Sequence, residues 1–273
     1  MRILITDSGV GGVSVVAYAE RFVRTVGFTE PVQLTFANAA PANDYGYNSM
    51  PSREAKIETF ERFLRNVTER YAPDRIYIAC NTLSVLFPHM EGIVDTGVAL
   101  LLKELQRDPR SVAMIFATQT TIDSGTYPRL LQDRGIDASR IVSQACPGLA
   151  DTISEDREGT KARAEIEKWV ALATEKMPSR DLPIVACLAC THYGYRKDAF
   201  AAALGRATVI NPNESAVDDL FDRTGVSHEV TVDFVTRYAL PQTTVDTLTW
   251  LLQPISPRTV AAMQHFQHMP DLF

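Results

Sequence analysis

The 273-residue chain contains no apolar run approaching the roughly 18 residues that a bilayer-spanning helix requires. A membrane role is therefore not expected. It also lacks any block of lysine and arginine: 27 basic residues stand against 33 acidic ones, for a net charge of −6. Nothing in it could track a phosphate backbone, so nucleic acid is not an expected partner. There are only four cysteines, Cys80, Cys146, Cys187 and Cys190. That is too few for a disulfide scaffold at this length, and in a cytosolic protein they would remain thiols. The N-terminus, MRILITDSG, runs directly into an apolar strand and a glycine turn, without the basic, apolar and small-residue blocks of a secretory leader. A cytoplasmic protein is the expectation. Low-complexity tracts and an obvious flexible linker are missing too.

What remains is the composition of a soluble globular protein, 45% hydrophobic and 22% charged, with enough apolar residues for one large or two modest domains. Short β-rich runs recur: RILIT from Arg2, VQLTFA from Val32, RIYIA from Arg75, VAMIFA from Val112, RIVSQA from Arg140 and PIVACLA from Pro183. Their near-continuous apolar character is that of strands covered on both faces. Between them, Ile57, Phe60, Phe63, Leu64, Val67 and Tyr71 fall at helical spacing after Pro51-Ser52, predicting a helix over about 52–72. Ile166, Trp169, Val170 and Leu172 suggest another. Alternating strands and helices imply βαβ units and parallel sheets, with ligands at the carboxyl ends of the strands. The sequence also hints at two similar halves, because Asp7 precedes Cys80 by nearly the stretch that separates Thr118 from Cys190.

Three motifs could carry chemistry. In Asp7-Ser8-Gly9-Val10-Gly11-Gly12 a glycine turn opens a helical pattern running from Val13 to Val23, where backbone amides could hold an anion. A dinucleotide site is a poor fit, since Ser14 stands where a third glycine belongs, although Glu30 could meet a ribose. The bland alternative is a turn in which Asp7 caps a helix. Cys80-Asn81-Thr82 follows a strand where a helix begins, a setting that stabilises a thiolate, yet a buried inert cysteine explains it equally well. Cys190-Thr191-His192-Tyr193 puts a thiol two residues from an imidazole that can exchange a proton near neutral pH, or that is simply a structural histidine. Cys187 and Cys190 spell C-x-x-C, but no second ligand pair exists for zinc, and Cys187 falls inside a strand rather than opening a helix. Cys187 and Cys146 are read as core or near-site residues.

Taken in order, DSGVGG, ACNT and ACTHY resemble the glutamate racemase family of the aspartate/glutamate racemase superfamily. Ala117-Thr118 with Thr121, Ser124 and Tyr127 looks like that family's A-T-x-x-T-x-x-S-x-x-Y stretch, and Cys146-Pro147 falls at the expected place. The resemblance covers residues 2 to about 195. It implies two similar doubly wound α/β domains with parallel sheets, residues 1–105 plus 210–273 and residues 106–209, and an active site in the cleft between them. It implies further that Cys80 and Cys190 are catalytic acid/base thiols, that Asp7 and His192 assist them, and that Ser8, Tyr45, Gly46, Asn81, Thr82, Thr121 and Thr191 bind a small amino-acid substrate. Cys80 would be the base toward the D-enantiomer and Cys190 toward the L-enantiomer. No cofactor or metal is expected, and no lysine lies in the motifs to form a Schiff base with pyridoxal phosphate. A homodimer and a supply of D-glutamate for peptidoglycan are also implied.

Departures from the family pattern are Asp44 in place of the proline of its PYG loop, Asn38 for an acidic residue, Gly194 for a proline, and Ser154 for a glutamate, with Glu155 adjacent. These leave open an aspartate, hydantoin or other superfamily racemase, a decarboxylase or isomerase, or a silent binding or regulatory protein on the same scaffold. The tail after Val230 is also unfamiliar in that family. There Val230, Val232 and Phe234 suggest an added strand, and Leu248, Leu251 and Leu252 a helix that could shape an oligomer contact.

Overall fold

The computed structural model describes residues 1–43 and 45–273. Among the described residues nine strands follow in order: β1 (Arg2–Asp7), β2 (Val32–Asn38), β3 (Arg75–Ile78), β4 (Val112–Ala117), β5 (Ile141–Ala145), β6 (Ile184–Ala189), β7 (Thr208–Ile210), β8 (Val230–Thr236) and β9 (Gln267–His268). They form a five-stranded sheet in the order β3-β1-β2-β8-β9 and a four-stranded sheet in the order β5-β4-β6-β7. Every neighbouring pair is parallel. All six apolar runs of the first 190 residues form strands, and the alternating run at Val230 forms β8.

The apolar character on both faces has a direct packing cause. Along β4, Val112, Met114 and Phe116 point into one core with Val142, Ile166 and Phe200, while Ala113, Ile115 and Ala117 point into another. That second core also takes Leu4 and Ile78 of the five-stranded sheet, and Phe60, Phe63 and Val67 of the helix Arg53–Tyr71. The opposite face of the five-stranded sheet, with Ile3, Ile5, Leu34 and Phe36, is covered by the helices Val13–Val26 and Gln242–Leu252. Each sheet is thus covered on both faces, and one continuous core joins them.

The helix Arg53–Tyr71 begins where its start signal predicts, with the Ser52 hydroxyl accepting from Ala55 N at 3.1 Å. In the final segment Leu248 and Leu252 are fully buried inside the chain's own core, while Leu251 on the same helix stays partly exposed.

The two sheets share a local plan. The order β3-β1-β2 recurs as β6-β4-β5, and the backbone register makes the equivalence definite: Ala39 N bonds to Asp7 O as Cys146 N bonds to Ala117 O. Asp7 therefore corresponds to Ala117, Ser8 to Thr118, and Cys80 to Cys190. This shifts by one residue the pairing of Asp7 with Thr118 suggested by sequence spacing.

Candidate active site

Immediately beyond the carboxyl ends of β1, β3, β4 and β6, the chain encloses a cavity of about 350 Å³. Asp7, Ser8, Cys80, Asn81 and Thr82 line it from the five-stranded sheet; Thr118, Cys190, Thr191 and His192 line it from the other. Both thiols are nearly inaccessible, Cys80 at 4% and Cys190 at 6% exposure.

Cys80 ends its strand and caps the one-turn helix Asn81–Ser84. Its Sγ lies 3.0 Å from Ser8 Oγ, and Ser8 in turn donates to Asp7 Oδ1 at 3.5 Å. The other Asp7 oxygen accepts from the Thr191 hydroxyl at 2.7 Å, which ties the end of β1 to the residue after Cys190. Cys190 Sγ is 4.0 Å from His192 Nδ1. Asn213 fixes this second turn by donating to Thr191 O and to Ser14 Oγ, each at 2.8 Å.

The glycines of the first motif make this approach possible. A Cβ on Gly11 would come within 2.6 Å of His192 Nδ1 and 2.7 Å of His192 N, and one on Gly12 within 2.8 Å of Asp7 Oδ2. Space in front of Gly11 that a pyrophosphate would need is filled by Thr191 and His192, and Glu30 pairs with the N-terminal ammonium at 3.0 Å. The dinucleotide alternative is thereby set aside.

Electrostatics follow from burial. Asp7 is held above the usual carboxylate range by desolvation, partly offset by His192, Thr191 and the Gly12 amide. The thiols of Cys80 and Cys190 are both pushed well up, mainly by burial; the Asp7 charge adds to this at each, while Ser8 opposes it at Cys80 and the His192 amide at Cys190. His192 is shifted down by burial and rests neutral. At neutral pH, then, burial holds both sulfurs as thiols and the imidazole uncharged.

Nine of the expected site residues line the cavity: Asp7, Ser8, Gly46, Cys80, Asn81, Thr82, Cys190, Thr191 and His192. Tyr45 and Thr121 do not. Tyr45 is turned outward and 43% exposed. Thr121 sits behind Thr118, which caps the helix Gln119–Asp123 and contacts the Thr121 hydroxyl at 3.1 Å, so Thr118 forms the wall instead. Asp44 lies outside the described residues. Asn38 is also off the wall: it donates to Thr236 Oγ1 and Tyr238 OH and accepts from Ala40 N, so it braces the loop after β2. Ser154 and Glu155 both reach the cavity, together with Asp151.

Sequence reasoning missed Tyr47, Asn48, Tyr238 and Thr244 on the wall, and the task of Tyr127. Tyr127 donates to Asn81 Oδ1 at 2.7 Å, which turns the Asn81 amide so that Nδ2 is left without a protein partner. Its place in the A-T-x-x-T-x-x-S-x-x-Y stretch was the available signal. Cys146 and Cys187 are buried free thiols, each pushed up to about 12 chiefly by burial. No cluster of His, Cys, Asp and Glu suited to a metal occurs among the described residues.

No family model matches the chain. Among curated proteins it is 34% identical over 165 residues to a glutamate racemase of Jannaschia sp., a match covering 54% of this chain and 59% of that protein. It is 28% identical over 224 residues to a glutamate racemase of Ruegeria sp., covering 75% and 78%. Its fold is that of glutamate racemase isoform RacE1 from Bacillus anthracis, with TM-score 0.73 and 20% identity over 92% of this chain and 93% of that one. The Aquifex pyrophilus glutamate racemase superposes with TM-score 0.65 and 23% identity over 94% and 97%. Aspartate racemase from Picrophilus torridus shares the fold more distantly, with TM-score 0.52 and 18% identity over 84% and 98%. The chain is thus similar in sequence to curated glutamate racemases and shares the fold of solved ones.

Proposed function

We propose that this protein interconverts L- and D-glutamate by a two-thiol mechanism, Cys80 and Cys190 acting on opposite faces of the α-carbon. The observation that carries the reading is the recurrence of one arrangement: a cysteine directly beyond β3 and another directly beyond β6, both on the wall of one cavity. Inverting a stereocentre requires a base on one face and an acid on the other. Two equivalent sulfurs meet that need, whereas a single base does not.

A free thiol ionises near pH 8.5, at about the value where it can serve as either partner. Burial raises both thiols, so one must lose its proton to a neighbour before the α-proton can be taken. Asp7 is the acceptor suited to that task, because its own proton affinity is raised toward that of the sulfurs. His192 is placed to exchange a proton with Cys190. The carbanion would be stabilised by Asn81 Nδ2 and the exclusion of water. The resemblance supports D-glutamate for peptidoglycan as the product. No helix among the described residues is long and apolar enough to cross a membrane; the resemblance supports the cytoplasmic location that we also propose.

One observation favours a second substrate. No lysine or arginine lines the cavity among the described residues, while Asp151 and Glu155 do, an environment better suited to an amide than to a second carboxylate. Racemisation followed by circular dichroism on glutamate, glutamine, aspartate and hydantoins tests both readings. The glutamate reading expects the highest kcat/KM on glutamate, unchanged by pyridoxal phosphate or chelators; turnover confined to glutamine supports the second reading, and no turnover on any of them defeats both.

A further inference from the structure

We propose that the Ser8 hydroxyl is a catalytic proton relay serving Cys80 alone, passing the Sγ proton to Asp7 while Cys190 is charged by another route. The step rests on the two-thiol reading above and adds a residue to it. Ser8 Oγ is 3.0 Å from Cys80 Sγ, and the Ser8 O–H points to Asp7 Oδ1 at 3.5 Å. Either atom of the Ser8–Cys80 contact could be the donor; the relay takes the arrangement in which the Ser8 hydrogen is directed at the carboxylate and its lone pairs face the sulfur. In that arrangement the chain runs from S–H to O–H to carboxylate.

In the step itself the Cys80 S–H bond breaks as an O–H bond forms on Ser8, and the original Ser8 O–H breaks as one forms on Asp7. Cys80 becomes a thiolate, Asp7 a neutral acid, and Ser8 is unchanged. No water is needed, which suits a sulfur that is 4% exposed.

The other half of the molecule has no such path. Thr118 holds the position equivalent to Ser8, but its hydroxyl is engaged by Thr82 Oγ1 at 2.9 Å and Thr121 Oγ1 at 3.1 Å. Ala117 holds the position of Asp7 and offers only a methyl group. Cys190 has His192 Nδ1 at 4.0 Å instead, and His192 occupies the position equivalent to Thr82.

Enantiomers have equal free energy, so kcat/KM must fall equally in both directions for any variant, and rates alone are silent on the point. Isotope effects are not. Losing the relay raises the barrier for transfer at Cys80 and leaves transfer at Cys190 alone. With α-deuterated D- and L-glutamate, Ser8→Ala should lower kcat/KM roughly a hundredfold in both directions. The deuterium isotope effect on kcat/KM should rise for the enantiomer that Cys80 deprotonates and shrink for the other. Ser8→Thr, which keeps a hydroxyl, should restore the wild-type pair of values.

If Ser8 only holds substrate, both barriers rise together and the two isotope effects stay as in the wild type, which overturns the relay while leaving the racemase intact. Should Ser8→Ala not turn over, exchange of the α-hydrogen in deuterated water is read for each enantiomer. Exchange kept for one and lost for the other supports the relay, and exchange lost for both sinks it. A wild type that racemises none of the amino acids tested defeats the functional reading, and this step with it.

Discussion

The end of β3 and the end of β6 carry the same sulfur in the same register, yet their surroundings differ. Beside Cys80 stand Ser8 and the Asp7 carboxylate; beside Cys190 stands His192, with Ala117 where the carboxylate would be. Duplicated backbone thus fixes where the two thiols sit, on the wall of one cavity, while unduplicated side chains, on the proposed mechanism, decide how each exchanges its proton. A pair that must exchange roles needs matched positions more than matched neighbours, and a carboxylate repeated at residue 117 would have buried a second unpaired charge at a cost of several kcal/mol.

The harshest way to break the comparison is to remove either sulfur. Cys80→Ser and Cys190→Ser are each expected to lower racemisation by roughly 10³-fold or more, because a serine hydroxyl is too weak an acid to supply the missing thiolate. Circular dichroism on both enantiomers checks it, and near-normal activity in either variant would defeat the two-thiol mechanism. Asp7→Asn should cost roughly 10²–10⁴-fold in kcat/KM, the usual size of a lost acid/base group.

Asp7→Asn also gives a stability test with a definite sign. The folded carboxyl has a raised proton affinity, so its favourable contribution is complete below the unfolded value of about 3.9 and is lost as pH rises through the folded value. The variant should therefore melt above the wild type at pH 7, and the two should converge on acidification. By the same rule, the four buried thiols should make the wild type melt lower as pH rises past about 8.5, where unfolded thiols ionise and folded ones do not.

Tyr127→Phe sharpens the comparison more gently. It releases the Asn81 amide from its fixed orientation and should lower kcat on glutamate roughly tenfold, the scale of one buried hydrogen bond, with KM less affected. The smallest effect belongs to Cys187→Ser, which should keep most activity, since Cys187 lies within β6 and packs in the core; loss of activity without unfolding would revive a role for C-x-x-C.

Strands covered on both faces were legible because each is a dense apolar run, and Cys80, Cys190 and the Asp7 turn were legible because they stand where such runs stop. β7 and β9 were not, being three and two residues long, too short for any periodicity to register. The off-by-one pairing of Asp7 with Thr118 arose because strand register is set by hydrogen bonds between distant segments, which spacing along the chain does not record. Thr121 and Tyr45 were misplaced for a related reason. A motif identifies a loop, but capping by Thr118 and the outward turn at Tyr45 decide which side chain of that loop meets the cavity. Tyr127 was visible in the motif while its task was not, since its partner Asn81 is 46 positions away.

The crowding at Gly11 limits how this molecule can be rebuilt. Residue 11 belongs to the first part of the chain and residues 191 and 192 to the second, yet they meet where not even a methyl group fits. A chimera that exchanges the 112–210 segment with that of a relative must therefore import a turn at 191 and 192 that tolerates the same keyhole. A donor with a bulkier turn there would wedge the two sheets apart and spoil the alignment of the thiols without replacing either one.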